Sequence, residues 1–351
     1  MKYIWLLGVI VYTSLRGDFD ALLNKNYQIA PIVVIGGGPA GLAAALYAAN
    51  DRVHTVLFTG PQIGGQLASA GEVENMPSVP KKWGLKIIEE LEQQAKQAGA
   101  HIVYDSVTAV MSEENYYRIT TESGAIIYAY AVIIATGGHA RTLGLSSEQT
   151  YWSNGVSTCA LCDRAFFEQK DVAVIGGGDA AVEEAMQLAP YAKTVTIFVR
   201  GASMRAAPRN KEKLKDYSNI SVCYLRRVVE VLGDGIKMTG LLLENTKTGE
   251  QNSIAMDGMF LAIGHEPNNG LVKDLVALDQ EGYIVMPDRT QRTTRAGIFA
   301  AGDNADKRYR QAIVAEGQGS MAAMDAMKYL RDIGFTERIA HLLAPHYYRV
   351  D

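Results

Sequence analysis

The stretch PIVVIGGGPAGLAAALYAAN, residues 31–50, decides the fold. Residues 31–35 are an apolar, β-branched run that reads as a buried strand. Gly36, Gly37 and Gly38 break that run, and an alanine-rich helix follows over 42–50. Pro39 suits the first helical turn, where its missing N–H leaves no bond unmade. Between strand and helix, Gly36-x-Gly38-x-x-Gly41 is a dinucleotide fingerprint. Gly36 permits the tight turn, Gly38 lets a pyrophosphate approach the backbone, and Gly41 allows close packing of helix on strand. The helix N-terminus then offers free N–H groups and its dipole to the phosphates. Taken alone, the same residues also fit a glycine-rich turn without a ligand.

The pattern returns in DVAVIGGGDAAVEEAMQL, residues 171–188, with Gly36 and Gly176 standing 140 positions apart. Its fingerprint is Gly176-x-Gly178-x-x-Ala181. Strands over 53–58 and 194–199 follow the two helices, and apolar strands over 131–135, 259–263 and 297–301 run into Thr136-Gly137, Gly264 and Gly302-Asp303. Leu85, Ile88, Leu91 and Ala95 recur at helical spacing, and a last helix spans about 312–330. This order predicts an α/β protein of two doubly wound, Rossmann-like domains, the second inserted into the first. The first covers 29–141 and 267–335, and the insert covers 142–266. Residues 1–28 form an N-terminal extension and 336–351 a C-terminal tail.

Two fingerprints imply two dinucleotides, and the usual pair is a flavin with a nicotinamide. An NAD site commonly ends its second strand in an acid that bonds the ribose 2′-OH. Here the strand over 194–199 ends in Arg200, with Arg205 close behind and no acid. Cations there favour a 2′-phosphate, hence NADPH; the alternative is a solvated surface pair.

The chain has 351 residues and three cysteines, Cys159, Cys162 and Cys223. A zinc site needs four ligands, usually two close pairs, and no second pair exists, so no metal is expected. Cys223 lies in an apparent strand and reads as buried and inert. Cys159-Ala160-Leu161-Cys162 fits a redox dithiol, because this spacing puts the sulfurs within bonding reach. Asp163 adjoins the pair as a proton shuttle, a helix N-cap, or both. Net charge is −4, with 48% apolar and 21% charged residues. That balance gives no general attraction to nucleic acid or acidic membranes. The apolar run 4–12 (IWLLGVIVY) is too short to span a bilayer and lacks a small-x-small cleavage site. An added extension is favoured over a membrane tether, and a nicotinamide-dependent chemistry points to the cytoplasm.

Over about 30–332 the chain resembles the bacterial low-molecular-weight thioredoxin reductases. The resemblance rests on VVIGGGPAGLAAALYA, FTGPQIGGQL, EVEN, VIIATGGHARTL, GVSTCALCD, VAVIGGGDAAVEEA, AIGHEPN and GIFAAGDNADKRYRQAI. It implies a three-layer ββα build for both domains. It implies an FAD site that adds Pro39 and Ala40 to the first fingerprint. That site continues through Thr59, Gly60, Pro61 and Gln62, then Ile63, Gly64, Gly65, Gln66 and Leu67. Asn75, Ala135, Thr136 and Gly137 belong to it, as do Gly302, Asp303, Arg310, Gln311 and Ala312. By the same likeness Asp179, Ala180, Glu184, Ile263 and Gly264 join the NADPH site.

The resemblance also implies a homodimer and a reaction path. Electrons pass from NADPH to FAD, then to the Cys159–Cys162 disulfide, then to thioredoxin. Cys162 would face the flavin and Cys159 would attack the partner, with the inserted domain rotating between the two tasks. Three departures stand out. The family's CATC reads CALC, and the glycine usual after the catalytic aspartate is Arg164. The HRRxxxR signature for the 2′-phosphate reads Val199-Arg200-Gly201-Ala202-Ser203-Met204-Arg205. One arginine and the histidine are absent. This opens an alternative: a same-fold disulfide reductase or oxidase using another donor or partner, such as ferredoxin, a peroxiredoxin-type carrier or oxygen. A non-catalytic flavin redox sensor is a further reading.

Overall fold

The computed structural model describes residues 28–336 and 346–348. The 4–12 run and most of the tail lie outside the described residues. The chain forms two compact units. The first comprises residues up to Glu72, Met76–Gly138 and Pro267 onward; the second comprises His139–Glu266 with Val73–Asn75.

The chain begins with β1 (Gln28–Ile35), α1 (Pro39–Asn50) and β2 (Thr55–Phe58). Next come α2 (Gly65–Ala68), α3 (Gly84–Gln97) and β3 (His101–Val103). The antiparallel run β4 (Val107–Ser112), β5 (Tyr117–Thr121), β6 (Ile126–Ile134) closes this part. One sheet results, in the order β3-β2-β1-β6-β5-β4. β6 is longer than the apolar run 131–135 suggests. Its first half pairs with β5 and its second half with a strand that arrives much later, while β1 pairs along its whole length. Every residue of β6 after Ile126 is buried. One expectation fails in α3. Leu85 is 51% exposed and Ile87 is buried instead. At 100° per residue the face through Gly84, Ile88, Leu91 and Ala95 passes nearer to Ile87 than to Leu85.

In the second unit, β7 (Val156–Ser157) leads to α4 (Ala160–Asp163). β8 (Asp171–Ile175), α5 (Asp179–Leu188) and β9 (Thr194–Val199) follow, and then β10 (Ile220–Tyr224). A meander, β11 (Arg226–Gly233), β12 (Met238–Asn245) and β13 (Gln251–Ala255), precedes β14 (Gly258–Leu261). The parallel sheet runs β7-β14-β8-β9-β10 and the meander is a separate sheet. One core packs α5 on the parallel sheet; another fills the space between that sheet and the meander. Three layers result: helix, parallel sheet, antiparallel sheet.

The chain then returns to the first unit. β15 (Ile298–Ala300) pairs parallel with Val132–Ile134 of β6, and α6 (Ala312–Asp332) packs on α1. That contact depends on glycine: a Cβ on Gly319 would lie 2.0 Å from the Ala40 carbonyl oxygen. Among the described residues no helix is long and apolar enough to cross a membrane.

Candidate active site

The first fingerprint closes as a tight turn between β1 and α1. Gly36 has φ +116°, and a Cβ there would sit 2.2 Å from the Ala135 carbonyl oxygen. A Cβ on Gly41 would sit 1.8 Å from the Gly36 carbonyl oxygen. Both positions are closed to any side chain. Gly38 is different: nothing lies within 4 Å of where its Cβ would be, and no side chain caps the helix it starts. An open floor under uncapped helical N–H groups fits a pyrophosphate.

The loop after β2 lies against this turn. Gly64 donates its N–H to the Gly37 carbonyl at 2.8 Å, and a Cβ on Gly65 would come within 3.5 Å of Gly38 Cα. Thr59 is buried, its N–H bonded to Val103 O at 2.9 Å. Gln66 donates from Nε2 to Gly138 O at 2.8 Å and to Asp303 Oδ2 at 3.4 Å. Gly302, at φ +86°, brings its chain beside Ala40. Thr136 Oγ1 is buried at the end of β6 with no protein partner. Burial and the neighbouring Asp306 push the Asp303 carboxyl up to about 6, against the pull of Arg310. Gln311 and Ala312 start α6. Of the expected first-site residues, only Asn75 groups with the second unit.

The second fingerprint repeats this geometry. Gly176 has φ +154°, and a Cβ would meet Ala262 O at 2.4 Å. Gly178 is open and α5 has no side-chain cap. Ala181, in the third position, is fully buried. The loop carrying Arg200 and Arg205 is pinned to this turn: Arg205 and Ala206 both donate their N–H groups to Gly177 O, at 2.6 and 3.0 Å. Both arginines are exposed. Asp179 accepts from Ala207 N and Asn210 Nδ2, each at 2.8 Å, so its carboxyl lies below its ordinary value. The Arg209 charge lowers it further. Gly264 accepts from Arg141 N at 2.9 Å at the end of the β14 segment.

Cys159 and Cys162 form a disulfide, with Cα atoms 5.3 Å apart. Cys159 stands at the N-cap of α4 and its Sγ accepts from Cys162 N at 3.2 Å. Asp163 ends that helix and makes no cap of its own. It accepts from Ser157 Oγ at 2.6 Å, and Ser157 Oγ accepts in turn from Cys159 N at 3.1 Å. Burial raises the Asp163 carboxyl above its ordinary value and the Ser157 bond opposes this. A largely buried carboxyl with a raised pKa therefore stands beside the dithiol. Ser157 is the member that sequence reasoning missed, although GVSTC places a hydroxyl two residues before the pair. Glu184 belongs here too. Its Oε2 accepts from Ala160 N at 2.5 Å, which ties α5 to the dithiol segment. Cys223 corrects an expectation: it is half-buried, because β10 is the edge strand of its sheet. Among the described residues no group of three or more His, Cys, Asp or Glu is placed to hold a metal.

The sequence pattern of the pyridine nucleotide-disulphide oxidoreductases matches residues 30–319. The thioredoxin reductase of Rickettsia conorii is 41% identical over 302 residues, 85% of this chain and 97% of that protein. The chain belongs to the pyridine nucleotide-disulphide oxidoreductase family, among the thioredoxin reductases. A bifunctional thioredoxin reductase/thioredoxin of Mycobacterium leprae is 40% identical over 316 residues, 88% of this chain and 68% of that one. Among solved structures, the thioredoxin reductase of Giardia duodenalis superposes with a TM-score of 0.82 at 37% identity, covering 87% of this chain and 99% of its own. Membership in the family accounts for two fingerprints and one dithiol in a single chain.

Proposed function

We propose that this chain is an NADPH-dependent thioredoxin-disulfide reductase that uses FAD and the Cys159–Cys162 pair. The single observation that carries the reading is the disulfide between Cys159 and Cys162 in the unit that holds the second fingerprint. FAD belongs to the first unit. The open floor at Gly38 would take its pyrophosphate, and Asp303 and Thr136 supply polar atoms for its chain. NADPH belongs to the second unit, with Gly178 under its pyrophosphate and Arg200 and Arg205 toward its 2′-phosphate. When bound, the flavin supplies a two-electron relay between a nicotinamide and a disulfide.

The chain's own residues do the rest. Opening the Cys159–Cys162 bond takes two electrons and two protons and yields two thiols. Asp163 and Ser157 hold and pass a proton beside Cys159. The thiolate of Cys159 then attacks the disulfide of thioredoxin, and Cys162 resolves the mixed disulfide by attacking Cys159. Thioredoxin leaves as a dithiol and the Cys159–Cys162 bond is restored. We place the reaction in the cytoplasm and the working unit as a homodimer.

A second reading is favoured by one observation. Val199 and Gly201 stand where the family signature has a histidine and an arginine, so the donor would differ from NADPH. NADPH oxidation coupled to reduction of thioredoxin tests the main reading. Turnover supports it, and reduction of thioredoxin only by another donor supports the second.

A further inference from the structure

The geometry points to Glu184 as a positioning residue that sets the reactivity of the Cys159–Cys162 dithiol from the neighbouring helix. This rests on the proposed function of that pair, and it reassigns a residue first expected at the nucleotide. Glu184 lies on α5, past the first turn that carries Asp179 and Ala180. Its carboxylate accepts the Ala160 N–H at 2.5 Å, one peptide link from Cys159. Ala160 is fully buried and Glu184 half-buried. A charge this close, in a partly desolvated place, acts on its neighbours more strongly than one in water.

Two acidic side chains flank the segment that carries the pair. Asp163 closes α4 on one side and Glu184 holds its start on the other, while Glu183 on α5 is exposed. The nearest cation in sequence, Arg164, lies with its guanidinium 4.8 Å over the ring of Tyr191. The Cys162 N–H that Cys159 Sγ accepts favours its thiolate, while the neighbouring Ala160 N–H is taken by a carboxylate. Negative charge at this point disfavours a thiolate on Cys159. Disfavouring the thiolate disfavours the reduced pair, so the dithiol gives up electrons more readily. That is the property a donor to another dithiol protein requires.

The test uses the flavin-loaded protein reduced with dithiothreitol. Iodoacetamide alkylation is followed against pH, peptide by peptide, so that Cys159, Cys162 and Cys223 are read separately. Glu184→Gln keeps an acceptor for Ala160 N–H and removes only the charge. It should lower the pKa of the more reactive thiol by about one unit. At a pH well below both values that is about tenfold more thiolate, less a fall in nucleophilicity with a slope of about 0.4–0.5, so alkylation quickens roughly threefold. Equilibration with glutathione should move up to tenfold toward the dithiol, about 30 mV. Cys223 should be unaffected. Glu184→Asp, which keeps the charge, should stay nearer the parent profile.

A Glu184→Gln profile equal to the parent's would overturn the inference, as would a Glu184→Asp shift as large. A parent protein whose Cys159 and Cys162 neither open nor reform would instead sink the reading of the pair itself. The two failures are therefore distinguishable.

Discussion

At the scale of single residues, burial raises the carboxyls of Asp303 and Asp163, while hydrogen bonds lower that of Asp179. Asp303 is the sharpest case. Its carboxyl is pushed up to about 6 from 3.8, mainly by burial. A raised carboxyl pKa means the fold binds that proton more tightly than the unfolded chain does. The cost is absent below the unfolded value near 4. It grows as pH rises and is complete above about 6. In the flavin-free protein, Asp303→Asn should therefore gain stability over the parent as pH rises from 4 to 7, by about 2 kcal/mol. Urea melts at several pH values measure this, and a gap that does not grow with pH would contradict it. For the dithiol, Cys162→Ser should keep flavin and its reduction by NADPH but lose turnover of thioredoxin. Retained turnover would remove Cys162 from the path.

Among the secondary-structure elements, the glycines decide whether α1 can sit where it does. Gly41 and Gly319 bring backbones into contact on two sides of α1, with no room for a methyl group at either. Gly319→Ala should cost about 1–3 kcal/mol by overpacking, visible as a lower melting temperature of the flavin-loaded protein. An unchanged melting temperature would show that α6 slides freely on α1.

These same elements show what the sequence makes legible. The strand–turn–helix–strand from β8 to β9 lies residue for residue where its pattern predicts, because a buried parallel strand, a glycine turn and an amphipathic helix are each local signals. The β4–β5 hairpin and the β11–β13 meander escaped notice. Their apolar stretches are short and broken by polar or charged residues, so none stands out as a buried strand. Leu85 was misplaced because four apolar residues in α3 fit two overlapping helical faces. In the site, Cys159, Cys162 and both fingerprints were legible by spacing. The bonds of Ser157 and Glu184 to the dithiol segment were not, since each depends on where separate elements meet.

For the whole molecule, the chain crosses between the units at Gly138/His139 and Glu266/Pro267, and briefly on either side of Val73–Asn75. Each unit has its own core and its own fingerprint. On the proposed function, donor choice belongs to the second unit. Arg200→Ala should raise the KM for NADPH at least tenfold, from the loss of roughly 1.5–3 kcal/mol of charged hydrogen bonding, and should leave NADH little changed. Steady-state kinetics with both nucleotides would show it, and equal effects on the two would remove Arg200 from phosphate reading. On the proposed function, electrons enter from NADPH, cross the flavin and leave through Cys159 and Cys162. The most direct test is anaerobic stopped-flow absorbance of the flavin-loaded protein mixed with NADPH, followed by oxidised thioredoxin. The account predicts rapid bleaching by NADPH and recovery of the flavin colour on adding thioredoxin, with recovery lost in Cys162→Ser. No rapid bleaching by NADPH, or full recovery in the Cys162→Ser protein, would contradict it.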